Sequence, residues 1–324
     1  MTSMLATIDT VESGIPRLPV GEWIETGFDW VLENAGAFFD AIADGIGNTS
    51  AALTELLQWP PALVTVLVMA ALAWLAAGWR LALGSAVLLT AVIGMDQWDN
   101  AMQTLSVVLV ASLIALVIGI PIGVAAARWD GVSRVVRPVM DLMQTMPAFV
   151  WLVPVVMLFG IGVAAGLVAT VIFALPPAVR LTELGIRQVD SEIVEAGQAF
   201  GGTPRQILGG IQFPLAMPTV MAGVNQVIML ALSMAVIAGL VGGGGLGGAV
   251  MTSISRLDVG LGFEAGLSVV VLAIYLDRVT AGVGRRDRKR SRTRRKPSAK
   301  PEEQEEQAEA AEAVAKGMAR PTMS

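Results

Sequence analysis

Apolar residues in this chain gather into long runs separated by short polar breaks. A helix needs about 20 mostly apolar residues to cross a bilayer, and about seven stretches approach that length. The first, 61–79, follows Pro60-Pro61. The second, 81–95, is short, and only Arg80 separates it from the first, so the pair predicts a tight hairpin. The third, 101–127, stops at Arg128. The fourth, 138–159, is interrupted by Asp141, Gln144, Pro147 and Pro154. The fifth, 161–179, ends at Arg180, and a polar stretch fills 181–212. The sixth is 218–241. The seventh, 261–281, has Glu264 and Asp277 flanking its apolar centre.

A different pattern precedes these runs. Ile24, Phe28, Val31, Ala35, Phe38, Ile42 and Ile46 recur at spacings of three and four, with acids mostly on the other faces. This predicts an amphipathic helix over 22–46. Helices that bind anionic lipid surfaces are basic. This one is acidic, so it is expected to pack on the protein or lie at the outer interface.

Composition sharpens the class. Of 324 residues 54% are hydrophobic and only 15% charged, well below the share usual for a soluble domain. With no Cys, disulfides, thiolate metal sites and Cys nucleophiles are excluded. With no His, so is a Ser-His-Asp triad, together with the commonest metal ligand. The expectation is an all-α integral membrane protein that is not an enzyme and holds no cofactor or metal.

Charge suggests the orientation. Residues 1–79 contain one basic residue, Arg17, against nine acids, whereas 285–296 contain nine basic residues. Lys and Arg beside spans stay cytoplasmic. Placing Arg80, Arg128/Arg134/Arg137, Arg180/Arg187/Arg205 and the 285–296 cluster inside puts the N-terminus outside and the C-terminus in the cytoplasm; Arg256 is the exception. Trp59, Trp79, Trp98 and Trp129 fall at span ends, where interfacial aromatics belong. The start of the chain lacks the basic residues and apolar run of a cleavable signal. The basic cluster is expected to meet membrane lipid rather than nucleic acid.

Three local features bear on function. In the polar loop, Glu195-Ala196-Gly197 is followed by three residues and Gly201, and then by Ile211-Gln212-Phe213-Pro214. Ser191 is the expected cap of a first short helix, which Gly201-Gly202 end by allowing positive φ. Thr203 caps a second, with Pro204 at its first position and Arg205 next. In Val241–Gly248, six glycines surround Leu246, but no Gly-Lys-Ser/Thr follows, so this is not a Walker loop; such a run allows non-helical backbone beside a cavity. Span four holds Asp141 and Gln144, polar groups that are costly inside a bilayer and face a cavity or partner.

The loop spacing resembles the EAA loop of permease subunits of ATP-binding-cassette importers, with Phe213 where Leu is usual. Together with Asp141–Val150, Leu175–Thr182, Gly185–Val189 and Leu257–Gly266, it resembles the glycine betaine/proline betaine permeases over roughly 100–280. The resemblance implies a type I importer fold in a bacterial cytoplasmic membrane. It also implies a partner ATPase, an extracytoplasmic substrate-binding protein and a second permease subunit, expected to be a copy of this chain. Glu195, Ala196, Gly197, Gly201, Gly202, Thr203, Pro204, Arg205, Ile211 and Pro214 would dock and couple the ATPase. Asp141, Gln144, Pro147, Phe149, Trp151, Asn225, Gly243 and Gly244 would line the pathway, with Trp74 a further aromatic. Other solutes such as choline, carnitine or methionine stay open as alternatives, and so, more remotely, does a secondary transporter. The expected organisation is an acidic extracytoplasmic region (1–58), a transmembrane hairpin (59–98), the importer domain (99–281) and a disordered cytoplasmic tail (282–324).

Overall fold

The computed structural model describes residues 19–294, with side chains through Gly284. The expectations for residues 1–18, and for the tail beyond Arg294, lie outside them. The described residues are helical, without strands. In chain order the helices are α1 (Val20–Gln58), α2 (Ala62–Ala77), α3 (Trp79–Gly94), α4 (Trp98–Arg128), α5 (Asp130–Thr145), α6 (Ala148–Phe159), α7 (Val163–Arg187) and α8 (Ser191–Ala199). They continue with α9 (Pro204–Ile207), α10 (Phe213–Ala238), α11 (Gly245–Arg256) and α12 (Val259–Arg294). The last helix runs past Gly284, into the stretch read as an unstructured tail.

Four helical stretches are long and apolar enough to cross a membrane: Trp98–Arg128, Val163–Arg187, Pro204–Val241 and Val259–Gly284. Two further pairs qualify only if each bent pair is one span: Gly21–Gln58 with Ala62–Ala77, bent by 101°, and Asp130–Thr145 with Ala148–Phe159, bent by 102°. Trp79–Gly94 is a shorter apolar helix.

The second bend corrects the fourth predicted span. Residues 138–159 are two helices meeting at Met146-Pro147, and Met146 is extended, at φ −75° and ψ 136°. The proline ring excludes helical geometry from the residue before it. The prolines at 176 and 177 leave α7 unbroken, because they are buried in a helix packed on both sides. For the same reason α7 passes the expected stop at Arg180 and ends at Arg187.

The core is built from α4, α7 and α10, which pack closely along their lengths. Their contact surfaces are made of small residues. A Cβ added at Gly123 of α4 would lie 2.6 Å from the Val179 carbonyl oxygen of α7. One added at Gly185 of α7 would lie 3.0 Å from Thr219 Cβ of α10. Close backbone approach of this kind replaces the hydrophobic drive that lipid cannot supply.

The amphipathic helix is present but longer than 22–46. Phe28, Val31, Ala35, Ile42 and Ile46 are half-buried, whereas Ile24 and Phe38 are exposed. Phe39 turns inward instead and meets the Phe159 ring edge-on at 5.5 Å. Farther along α1, Ser106 Oγ on α4 donates to the Ser50 carbonyl at 2.7 Å. Packing on the protein is therefore the reading that holds for this helix. Trp98 departs from expectation: it is 9% exposed and part of the core, so it is not an interfacial anchor. α12 closes the bundle against α2, with the Tyr275 hydroxyl donating to the Met69 carbonyl at 3.1 Å.

Candidate functional site: a polar turn, a buried carboxylate and a glycine loop

The polar loop folds as a helix, a sharp turn and a second helix. Asp190 caps α8, its Oδ1 accepting from the Glu192 N–H at 3.0 Å. The cap is thus one residue earlier than the predicted Ser191, because a carboxylate accepts more strongly than a hydroxyl. Gly201 adopts φ +81°, the left-handed conformation that ends α8. Thr203 then opens α9 through a capping box: its Oγ1 accepts from the Gln206 N–H, and the Gln206 side chain accepts from the Thr203 N–H at 2.9 Å. Pro204 takes the first helical position.

The turn is held from inside by Ile207, which is buried, and by Ile211 against Gly197. A Cβ added at Gly197 would lie 2.6 Å from Ile211 Cδ1, and one at Gly202 only 2.8 Å from the Gly197 carbonyl oxygen. The spaced residues Gly197, Gly202 and Ile211 are therefore one packed unit. Glu195, Ala196, Pro204, Arg205 and Pro214 face outward. Phe200, which sequence reasoning passed over, is 94% exposed at the tip; the signal was a lone aromatic inside a polar stretch.

The second loop helix is not a separate element. It runs through a π-turn, Leu208–Gln212, directly into α10, so the loop is continuous with a span.

A group of charges on α5 and α7 was also missed. Glu183 on α7 is only 4% exposed. Its Oε1 accepts from Ser133 Oγ at 2.7 Å, Arg137 at 2.8 Å and Arg187 Nε at 2.9 Å. Arg187 reaches further, donating to the Ala126 carbonyl at 2.9 Å and to Asp130 Oδ1 at 2.7 Å. One buried carboxylate so joins the end of α4, the start of α5 and the end of α7. The signal lay in two i,i+4 pairs, Ser133/Arg137 and Glu183/Arg187, on facing helices.

The residues expected to line a pathway fall at three places. Asp141 on α5 pairs with Arg180 of α7. Gln144, Pro147 and Phe149 are exposed around the α5–α6 bend. Trp151 is half-buried, with its Nε1 donating to the Met143 carbonyl at 3.3 Å. Asn225, midway along α10, donates to Asp277 Oδ1 of α12 at 3.1 Å. Gly243 and Gly244 lie in the turn between α10 and α11, against Ala238 and Gln103. There Gly242, Gly244 and Gly245 all have positive φ. The unpaired N–H groups at the start of α11 are satisfied from α4, Gly245 by Gln103 Oε1 and Leu246 by Thr104 Oγ1, both at 2.8 Å.

Four apolar spans, one of them with a packed helical turn at its start and a glycine turn at its end, match a known architecture. Residues 119–289 match the family described as binding-protein-dependent transport system inner membrane component. The chain belongs to that family. It is 47% identical over 273 residues to the glycine betaine/proline betaine transport system permease protein ProW of Escherichia coli (strain K12), covering 84% of this chain and 77% of that protein. It is 44% identical over 276 residues to the glycine betaine transport system permease protein OpuAB of Bacillus subtilis (strain 168), covering 85% and 98%. Among solved structures, a chain of the MetNI methionine ABC transporter in an inward-facing conformation superposes with a TM-score of 0.54 at 22% identity, covering 59% of this chain and 95% of that one. That likeness shows the type I importer fold. The protein is an inner membrane permease component of an ABC importer.

Removing the buried carboxylate takes an acceptor from Ser133, Arg137 and Arg187, although Arg187 keeps Asp130 and the Ala126 carbonyl. Glu183→Ala should lower the melting temperature of the purified protein by a few degrees, consistent with a loss of about 1–3 kcal/mol for hydrogen bonds to a charged group. Arg187→Lys should not preserve stability, since one ammonium cannot reach Glu183, Asp130 and the Ala126 carbonyl in a fixed fork. Thermal unfolding in detergent checks both.

Proposed function

We propose that this permease component forms the pathway for glycine betaine or a closely related methylated ammonium osmolyte, driven by a separate ATPase subunit. The observation that carries the substrate is the 44–47% identity across more than four-fifths of the chain to permeases named for glycine betaine. A separate ATPase is supported by the glycine run, which lacks the Lys and Ser/Thr of a phosphate loop. An extracytoplasmic binding protein delivers the solute, and a second permease subunit, a copy of this chain, completes the pore.

The exposed side of the α8–α9 turn is the coupling surface for the ATPase. Its geometry suits docking against another subunit, because a rigid internal packing of Gly197, Gly202 and Ile211 carries an outward face of Glu195, Ala196, Arg205 and Phe200. Because α9 continues through the π-turn into α10, movement of this turn is passed to a span along one continuous helical stretch. Asp141, Gln144, Pro147, Phe149, Trp151, Asn225, Gly243 and Gly244 remain the residues proposed along the route. The N-terminus lies outside and the C-terminus in the cytoplasm, as the arginine distribution directs.

Three outcomes are expected. A strain lacking its other osmolyte carriers should accumulate glycine betaine under hyperosmotic stress only when this chain and its partners are expressed; accumulation of methionine or choline instead would reassign the substrate. Gly201→Val should spare membrane insertion, because a Cβ added there meets nothing within 4 Å. The positive φ costs a branched residue about 1–3 kcal/mol, so the turn should shift, and ATPase pull-down or substrate-stimulated hydrolysis should fall severalfold. A single Cys introduced at Ser298 should react with impermeant reagents only in inverted vesicles, and the native chain gives no background because it has no Cys.

A further inference from the structure

The end of α1 forms one wall of an open groove of about 590 Å³. The opposite wall is the start of α4 and of α7, at Gln103 and Val163. Residues 47, 51, 54, 55 and 58 line it at helical spacings, so one stripe of α1 faces the space. Gly47 and Ala51 leave the floor open. Higher up stand Glu55 and, one turn on, Trp59.

Glu55 makes no ion pair among the described residues. Trp59 follows it by four residues, lines the same groove and is 83% exposed. No Lys or Arg lines the groove. Gln58 is held by its donation to the Asp99 carbonyl at 3.1 Å, and Gln103 by accepting from the Gly245 N–H at 2.8 Å. The two glutamines are thus held in place, with a carboxylate and an indole left unengaged.

A cation without N–H donors is the ligand that suits such a pair. A carboxylate supplies charge, and an indole face attracts an alkylated ammonium that cannot form hydrogen bonds. A dehydrated divalent ion would need more oxygens than one carboxylate supplies. The volume lies within the range of small-ligand clefts.

We propose that this groove binds a methylated ammonium group, between Glu55 and Trp59. Its role as a stop on the substrate's route rests on the reading given under Proposed function; the binding itself does not. Gln103 links the groove to the glycine turn, since the same side chain lines the one and caps the other. The ammonium can arrive on a free solute or on a choline lipid headgroup.

The test uses the full chain in lipid nanodiscs free of choline lipids, without a binding protein. Tetramethylammonium is the probe, read by saturation-transfer NMR from its methyl protons, with glycine betaine as competitor. Saturable binding is expected, weakened at least tenfold by Glu55→Gln and by Trp59→Leu. Ala51→Trp, which fills the floor without removing either group, should abolish it. Size-exclusion profiles identify any variant that fails to fold. Competition on adding phosphatidylcholine would show that the lipid source also reaches the site. Absence of saturable binding to the native chain, or binding unchanged in all three variants, would overturn the site. Glycine betaine uptake by the complete transporter is measured alongside. Uptake without binding removes the groove alone, and binding without uptake removes the substrate assignment and leaves the groove.

Discussion

Three helices of this permease approach so closely that a methyl group is too large for parts of the space between them. At Gly123, Gly185 and Gly223 the neighbouring backbone or Cβ stands where a side chain would begin. In lipid no hydrophobic drive separates a helix-facing surface from a tail-facing one, so van der Waals contact must hold the bundle. Everything else hangs from this three-helix core. α4 offers Gln103 and Thr104 to the glycine turn at one end, and its last turn offers the Ala126 carbonyl to Arg187 at the other.

Each end of the core is fastened by polar groups of a different kind. At the glycine turn, neutral side chains cap backbone N–H groups. At the opposite end a buried carboxylate gathers one hydroxyl and two guanidinium groups. Such a cluster adds little net stability over an apolar packing of the same volume. Its stronger property is specificity: Arg187 with three acceptors fixes the register of α4, α5 and α7 together. The α8–α9 turn follows α7 by only three residues and so starts from a fixed point.

Much of this was legible in the chain. Long apolar runs announced the spans, because only a continuous helix satisfies its own backbone in lipid. Gly201, Thr203 and Pro204 wrote the α8–α9 turn, because a left-handed residue, a hydroxyl cap and a ring-fixed φ each admit few alternatives. What stayed hidden depended on partners distant in sequence. Glu183 reads as one more polar residue after a span until Ser133 and Arg137, some 50 positions earlier, are brought against it. Trp98 reads as an anchor at an interface, yet the turn at Asp96 carries it into the core. Pro147 breaks a span and Pro176 does not, and the residues alone do not show which proline will be clamped by neighbours.

The continuity of α9, the π-turn and α10 has a mechanical meaning. A helix from Pro204 to Val241 has 38 residues, which is about 57 Å at the usual rise. The hydrocarbon core of a bilayer is about 30 Å thick, so nearly half of this rod stands outside it. A rod pivoting near its middle by about 10° would swing each end by roughly 5 Å, given that length. The chain is then a lever whose short excursion at the water-exposed end becomes an equal and opposite excursion at the glycine turn. The five residues of the π-turn are the one place along the rod where the hydrogen-bond ladder widens its step, and they set how much of that swing is delivered as tilt and how much is lost as twist.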